Sequence, residues 1–270
     1  MHFHYLDPYH EGKSVIHALD ARVKFVLALA FILTVSLMPI GAAAMYVILF
    51  ALAMAIVVLS ELGIGYVLKR AGLAVPFALA ALPLVFTAGA PLLAQAPLGF
   101  LTIEISQAGL ARFLSVLAKS YISMLIGIVL ATTTPFPMLL TAMRAVRLPR
   151  MLVAIFGLMW RYLFVLADEA NRLLRARAAR SGAPAEKTAA GGRLGGSIPW
   201  RARVAGGMAG NLFLRSFERG DRIYAAMSAR GYDGEVRGFA APALNPAQQV
   251  MLGMGLASCI GLVVLSRLLG

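Results

Sequence analysis

The sequence predicts an all-α integral membrane protein, with about five transmembrane helices and a cytoplasmic domain of long amphipathic helices. Three observations carry this. Of 270 residues, 60% are hydrophobic and 14% charged, whereas soluble domains carry about 25% charged residues. The charges are clustered: none falls between Phe25 and Ser60, Ala71 and Ile103, Ser120 and Met143, or Phe239 and Ser266. Finally, seventeen Lys and Arg lie between residues 144 and 237 against seven acids, which places +10 of the chain's +13 in one segment.

Crossing the hydrocarbon layer takes roughly 20 predominantly apolar residues. The first uncharged stretch has 36 and is broken by Pro39-Ile40-Gly41, so it reads as a hairpin of two short spans. Spans are placed at 23–38, 43–60, 72–92, 113–133 and 247–267. Pro76 and Pro83 kink the third, and Pro91 and Pro97 mark an irregular outer segment after it. Such non-helical backbone is tolerated at membrane depth only where protein or a cavity buries it. Phe25 to Met38 followed by Ala42-Ala43-Ala44 has the outline of a signal peptide. However, the 24 preceding residues are too many for one and contain Asp7, Glu11 and Asp20, so an uncleaved first span is predicted.

Orientation follows from Lys and Arg, which stay on the cytoplasmic side. Lys13, Arg22 and Lys24 precede span one, Lys69 and Arg70 follow span two, and the connection after span one has none. The predicted organisation is a cytoplasmic N-terminal segment (1–22), four transmembrane helices (23–133), a cytoplasmic helical domain (134–237) and a C-terminal transmembrane helix (238–270).

Within the basic domain, Thr134-Pro135-Phe136-Pro137 opens a short apolar helix that ends at Arg144, Arg147 and Pro149. A long helix follows over 150–179, with Arg161, Asp168, Arg172 and Arg175 on one face and Leu166, Ala170, Leu173 and Leu174 opposite. Residues 181–197, with Pro184 and two Gly-Gly pairs, read as a flexible connection. A second long helix over 200–230 puts Arg215, Arg219, Arg222 and Arg230 on one face and Phe213, Phe217, Tyr224 and Met227 on the other. Glu218 and Arg222 are spaced to pair along the polar side, and Gly231 stands where a left-handed residue ends a helix.

Catalytic signatures are absent: there is no phosphate loop, no Gly-x-Ser-x-Gly elbow and no His-Glu-x-x-His. No acid lies deep in a predicted span, so nothing marks a proton or ion pathway complete in one chain. Cys259 is alone and sits in an apolar run, and it reads as a small hydrophobe. The N-terminal histidines (His2, His4, His10 and His17, near Asp7 and Glu11) are a weak metal signal, and an interfacial segment is the preferred reading. Nucleic-acid binding is disfavoured because the aromatics lie opposite the arginines rather than between them.

The two long helices end alike, in Arg177-Ala178-Ala179-Arg180-Ser181-Gly182 and Ala226-Met227-Ser228-Ala229-Arg230-Gly231-Tyr232. A single C-terminal arginine is ordinary, favoured by the helix dipole by about 0.3–1 kcal/mol. Two matching ends, each an arginine among small residues, suit two guanidinium forks entering carboxylate-lined grooves on a partner dimer.

Ala-Met-x-Ala-Arg-Gly-Tyr at 226–232, preceded by Leu214-Arg215-Ser216-Phe217-Glu218-Arg219, resembles the T-component of energy-coupling factor (ECF) transporters, nearest the CbiQ type of cobalt uptake systems. Ser14 to Lys24 and the Ala-Arg-Ser end at 179–181 match more weakly, and the resemblance runs from about residue 5 to 270. Ala21 stands where the family often has Pro, and Ser181 where it often has Gly. The resemblance implies a non-catalytic coupling subunit without cofactors of its own, ATP and Mg being bound by two ABC ATPase subunits. Its docking residues would be Ala179, Arg180 and Ser181 on one helix and Ala229, Arg230 and Gly231 on the other. The apolar faces at Phe213, Phe217, Tyr224 and Met227 would pack on each other and on a substrate-binding membrane subunit. Cobalt is the implied cargo, with nickel or a vitamin as alternatives. A scaffold holding anionic lipid through its basic helices, at about 1 kcal/mol per clustered cation, is the alternative of a different class.

Overall fold

The structure is a computed structural model and describes residues 8–83, 85, 92–98, 101–180, 197–234 and 243–269. It is helical, with one β-hairpin, and divides into two compact units: Met1–Arg147 with Ala240–Gly270, and Leu148–Phe239.

The first unit opens on α1 (Val15–Ala18), which is capped by Ser14, whose Oγ accepts from the His17 amide. In α2 (Ala21–Leu37), Asp20 is the N-cap and its carboxylate accepts the Arg22 amide at 2.8 Å. Ala21 is therefore the first helical residue, whose N–H has no partner within the helix. Proline is favoured there for that reason, and its replacement by alanine costs no hydrogen bond. Helix α3 (Ala43–Leu59) returns after a turn at Gly41 (φ +86°), as the Pro39–Gly41 break predicts.

The expected third span is not one helix among the described residues. After α4 (Ile64–Ala71) come a 3-10 turn (Gly72–Ala74) and the short α5 (Val75–Leu79). Proline lacks the amide that a continuing helix would use, and Pro76, Pro83 and Pro91 recur too closely for a long helix. The outer segment is an antiparallel hairpin, β1 (Leu92–Leu98) with β2 (Leu101–Ser106), irregular between Leu92 and Ala94. Leu-Thr-Ile-Glu-Ile-Ser at 101–106 alternates apolar and polar residues, the period of a strand.

Helix α6 (Gln107–Thr133) is the central element, and α2, α3, α4 and α5 all pack on it. The short α7 (Phe136–Ala145) and the last helix α10 (Pro246–Leu269) pack on α2. Val35, Leu49, Ala53, Val57, Val67, Ile122 and Leu125 form a core that is almost completely buried. Outward residues such as Leu33, Val47, Ile48 and Val58 are exposed apolar surface, as a bilayer requires. Gly255 of α10 lets Leu27 approach so closely that a Cβ there would stand 2.4 Å from its methyl carbon. Cys259 is half-buried and lines an apolar cavity of about 260 Å³ with Phe31, Ile126 and Met251.

Helices α2 and α6 are antiparallel and exchange lysines. Lys24, at the start of α2, donates to the Thr133 carbonyl at the end of α6 at 2.8 Å. Lys119, midway along α6, donates to the Ser36 and Met38 carbonyls at the end of α2, at 2.9 and 2.8 Å. The same turn is tied by Ser115 Oγ accepting the Gly41 amide and by the Tyr46 hydroxyl donating to the Pro39 carbonyl.

The second unit contains α8 (Arg150–Arg180) and α9 (Ile198–Ala229). Among the described residues three helices, α6, α8 and α10, are by length and composition able to cross a membrane, whereas α3 has 17 residues. The chain is a multi-pass membrane protein. Residues 150–179 were expected to lie wholly outside the bilayer; by length and composition α8 qualifies as a span, because 151–167 carries Arg161 as its one charge.

Lys119→Met should leave two terminal carbonyls of α2 without their charged donor and destabilise the chain by about 1.5–3 kcal/mol. Thermal unfolding in detergent checks this; an unchanged midpoint would mean that water already serves those carbonyls.

Candidate functional site

Helices α8 and α9 run antiparallel. Met151, Ile155 and Tyr162 at the start of α8 line a groove of about 830 Å³ with Ile223, Tyr224 and Met227 at the end of α9. Arg172, Arg177 and Arg180 at the end of α8 line a second groove, of about 730 Å³, with Trp200, Val204 and Arg215 of α9. The division follows the sequence. The first part of α8 is apolar and faces Ile223, Tyr224 and Met227 of α9, while its last thirteen residues carry four arginines and two acids.

At the edge of the second groove stands Glu169, whose carboxylate accepts from Arg215 of α9 at 3.0 Å and from Arg172 of its own helix. Its side chain is 15% exposed, against 60% and 61% for the two arginines. The guanidinium of Arg177 lies over the Trp200 ring, 5.9 Å from its centre. Sequence reasoning missed both contacts, since residues 46 and 23 apart share no local periodicity. The expected pair of Glu218 with Arg222 is not among the ion pairs of the described residues, and Arg215 and Arg219 line the grooves instead.

Ala179 and Arg180 are exposed at the end of α8, and Ser181 lies outside the described residues. Ala229, Arg230 and Gly231 are exposed at the end of α9. The structure keeps these two arginines apart: they mark opposite ends of the pair, on the order of 45 Å from one another at 1.5 Å rise per residue. The α9 tip has a defined turn. Gly231 takes φ +79°, its amide bonds to the Ser228 carbonyl and the Tyr232 amide to the Met227 carbonyl, each at 3.0 Å. These two bonds form a Schellman motif, which fixes the backbone beside Arg230.

Phe213 and Phe217 stack with ring centres 6.5 Å apart and stay 66% and 63% exposed. Tyr224 is 65% exposed, and Met227 is half-buried against the first groove. The aromatic face of α9 therefore meets α8 only at its edge. Gly206, Gly207 and Gly210 continue bare backbone along the helix, where an added Cβ would meet nothing.

Of the N-terminal histidines, His2 and His4 lie outside the described residues. In the other unit, His10 contacts the Tyr66 hydroxyl at 3.3 Å, and its amide donates to the Thr132 carbonyl. His17 contacts Ser14 Oγ at 2.7 Å and the His10 carbonyl at 3.1 Å. Among the described residues no three His, Cys, Asp or Glu group together as metal ligands.

A family model for cobalt transport protein, CbiQ, matches residues 12–238. The chain belongs to the CbiQ family. That family comprises components of transport systems rather than enzymes. A cobalt transport protein CbiQ of Rhodobacter capsulatus is 30% identical over 189 residues, 64% of this chain and 71% of the relative. The nickel permease LarQ of Lactiplantibacillus plantarum is 31% identical over 102 residues, 38% of this chain and 33% of the relative. A putative fused cobalt transport protein CbiMQ of Methanocorpusculum labreanum is 27% identical over 139 residues, 51% of this chain and 21% of the relative. The chain spans less than two thirds of the length of most relatives it matches.

Gly231→Ala should cost about 1–2 kcal/mol from the left-handed backbone alone, since no atom crowds the site. Amide exchange at Tyr232 should then quicken about tenfold; an unchanged rate would show that the turn tolerates a side chain.

Proposed function

We propose that this chain is the non-catalytic coupling subunit of an ATP-driven importer of the energy-coupling factor type. It would link two ABC ATPases to a separate membrane protein that binds the substrate, with cobalt as cargo. The observation that carries this is the pair of exposed arginine tips, Arg180 and Arg230, at opposite ends of one antiparallel helix pair in a CbiQ-family chain. Two like tips set far apart suit two equivalent grooves, one on each ATPase. A guanidinium forks onto a carboxylate with two parallel bonds, and the small neighbours Ala179, Ala229 and Gly231 let it enter.

On this reading residues 134–237 form the cytoplasmic coupling domain, with the apolar first part of α8 covered by protein rather than lipid, and the N-terminus is cytoplasmic too, as the clustering of positive charge supports. Closure of the ATPases moves the tips, and the exposed aromatic face at Phe213, Phe217 and Tyr224 passes the motion to the substrate-binding protein. The fusion named CbiMQ supports a second membrane component, because it joins a CbiQ part to another part in one chain. Nickel is the second reading of the cargo, favoured by the permease LarQ.

Arg180→Glu with Arg230→Glu should abolish co-purification of the ATPases and reduce uptake of radiolabelled cobalt to background, at unchanged expression and melting temperature. Normal uptake by the double variant would overturn the docking claim. Competition by unlabelled nickel decides between the two cations.

A further inference from the structure

We infer that Glu169 is the positioning residue that pins α8 to α9 where they cross, so that displacement of either tip moves both helices as one lever. The inference rests on the coupling role proposed above and adds the residue that makes the lever stiff.

The two helices share little packing. Glu169 lines a groove of about 730 Å³ at the edge nearest a second one of about 830 Å³, and Phe213 and Phe217 of α9 are exposed. Helix pairs usually hold their crossing by interlocked side chains; here two open grooves take that place. What bridges the gap is a carboxylate gripped from both sides, by Arg215 across the pair and by Arg172 one turn along its own helix. Arg172 keeps the carboxylate from turning out to solvent, and Arg215 receives it. Each carboxylate oxygen is taken by a different arginine, Oε1 by Arg215 and Oε2 by Arg172, and such charge-assisted bonds are the strong ones. The position is central: Glu169 is eleven residues from Arg180, and Arg215 fifteen from Arg230. The Arg177–Trp200 contact is a second tie, at the Arg180 end.

A surface ion pair would contribute little. Glu169 differs in being mostly shielded and doubly paired, and in standing where no apolar interface does the same work.

The first test uses the chain alone in detergent, with Cys259→Ser and spin labels on Met151→Cys and Ala229→Cys, at one end of the pair. Electron–electron distance measurement should give a narrow distribution in the parent. Adding Glu169→Gln should broaden it at least twofold, as should Arg215→Gln, and the exchanged pair Glu169→Arg with Arg215→Glu should narrow it again. An unchanged width in both single variants would overturn the inference, and so would a broadening that the exchanged pair leaves in place.

The second test uses the reconstituted complex and reads cobalt taken up per ATP hydrolysed. Glu169→Gln should retain its ATPases yet lose at least fivefold in that ratio, with the exchanged pair recovering most of it. A wild-type ratio would overturn the lever. If no ATPase binds the unmodified chain, the coupling role itself fails, and the distance measurement still decides whether Glu169 pins the helices.

Discussion

The membrane unit depends on one exchange, in which each of two antiparallel helices lends a lysine to the carbonyl end of the other. The last four carbonyls of any helix lack partners within it, and a bilayer offers no water to replace them. Lys24 answers this at the end of α6, and Lys119 at the end of α2. Each positive charge also meets the negative end of a helix dipole. With α2 and α6 locked in register, the rest follows. Helix α3 and the broken α4–α5 segment pack on α6, α7 and α10 pack on α2, and the core from Val35 to Leu125 closes between them.

The second unit is built on the opposite plan. It has two long helices, few buried residues and open grooves between them. A pair tied by a few directional contacts can move as a body without breaking a packed core, whereas a close-packed interior resists displacement. Arginine tips on such a pair are suited to reporting movement, and the first unit is suited to holding still. The proposed division of labour rests on this difference in packing.

Much of this was legible in the sequence because it is periodic or local. The helical hairpin around Pro39–Gly41 and the second long helix follow from charge spacing and breakers, and the turn at Gly231 from its place after Arg230. In the third stretch the prolines foretold an interruption at Pro76 and Pro83, and the described part is broken more finely than one kinked helix, into a 3-10 turn and the short α5. The strand alternation at 101–106 was there to be read, but six residues between a proline-rich stretch and a helix carry little weight. Lys24, Lys119 and Glu169 were illegible for a different reason: their partners lie 109, 81–83 and 46 residues away, and no local pattern joins them. The helix ends gave Arg180 and Arg230 only because they repeat each other.

The central claim is that this chain joins two ATPases to one substrate-binding membrane protein. Native mass spectrometry of the complex, purified in mild detergent through a tag on this chain, tests it most directly. The complex should contain one copy of this chain, two ATPase subunits and one further membrane protein. A chain that carries a single ATPase, or none, would contradict it.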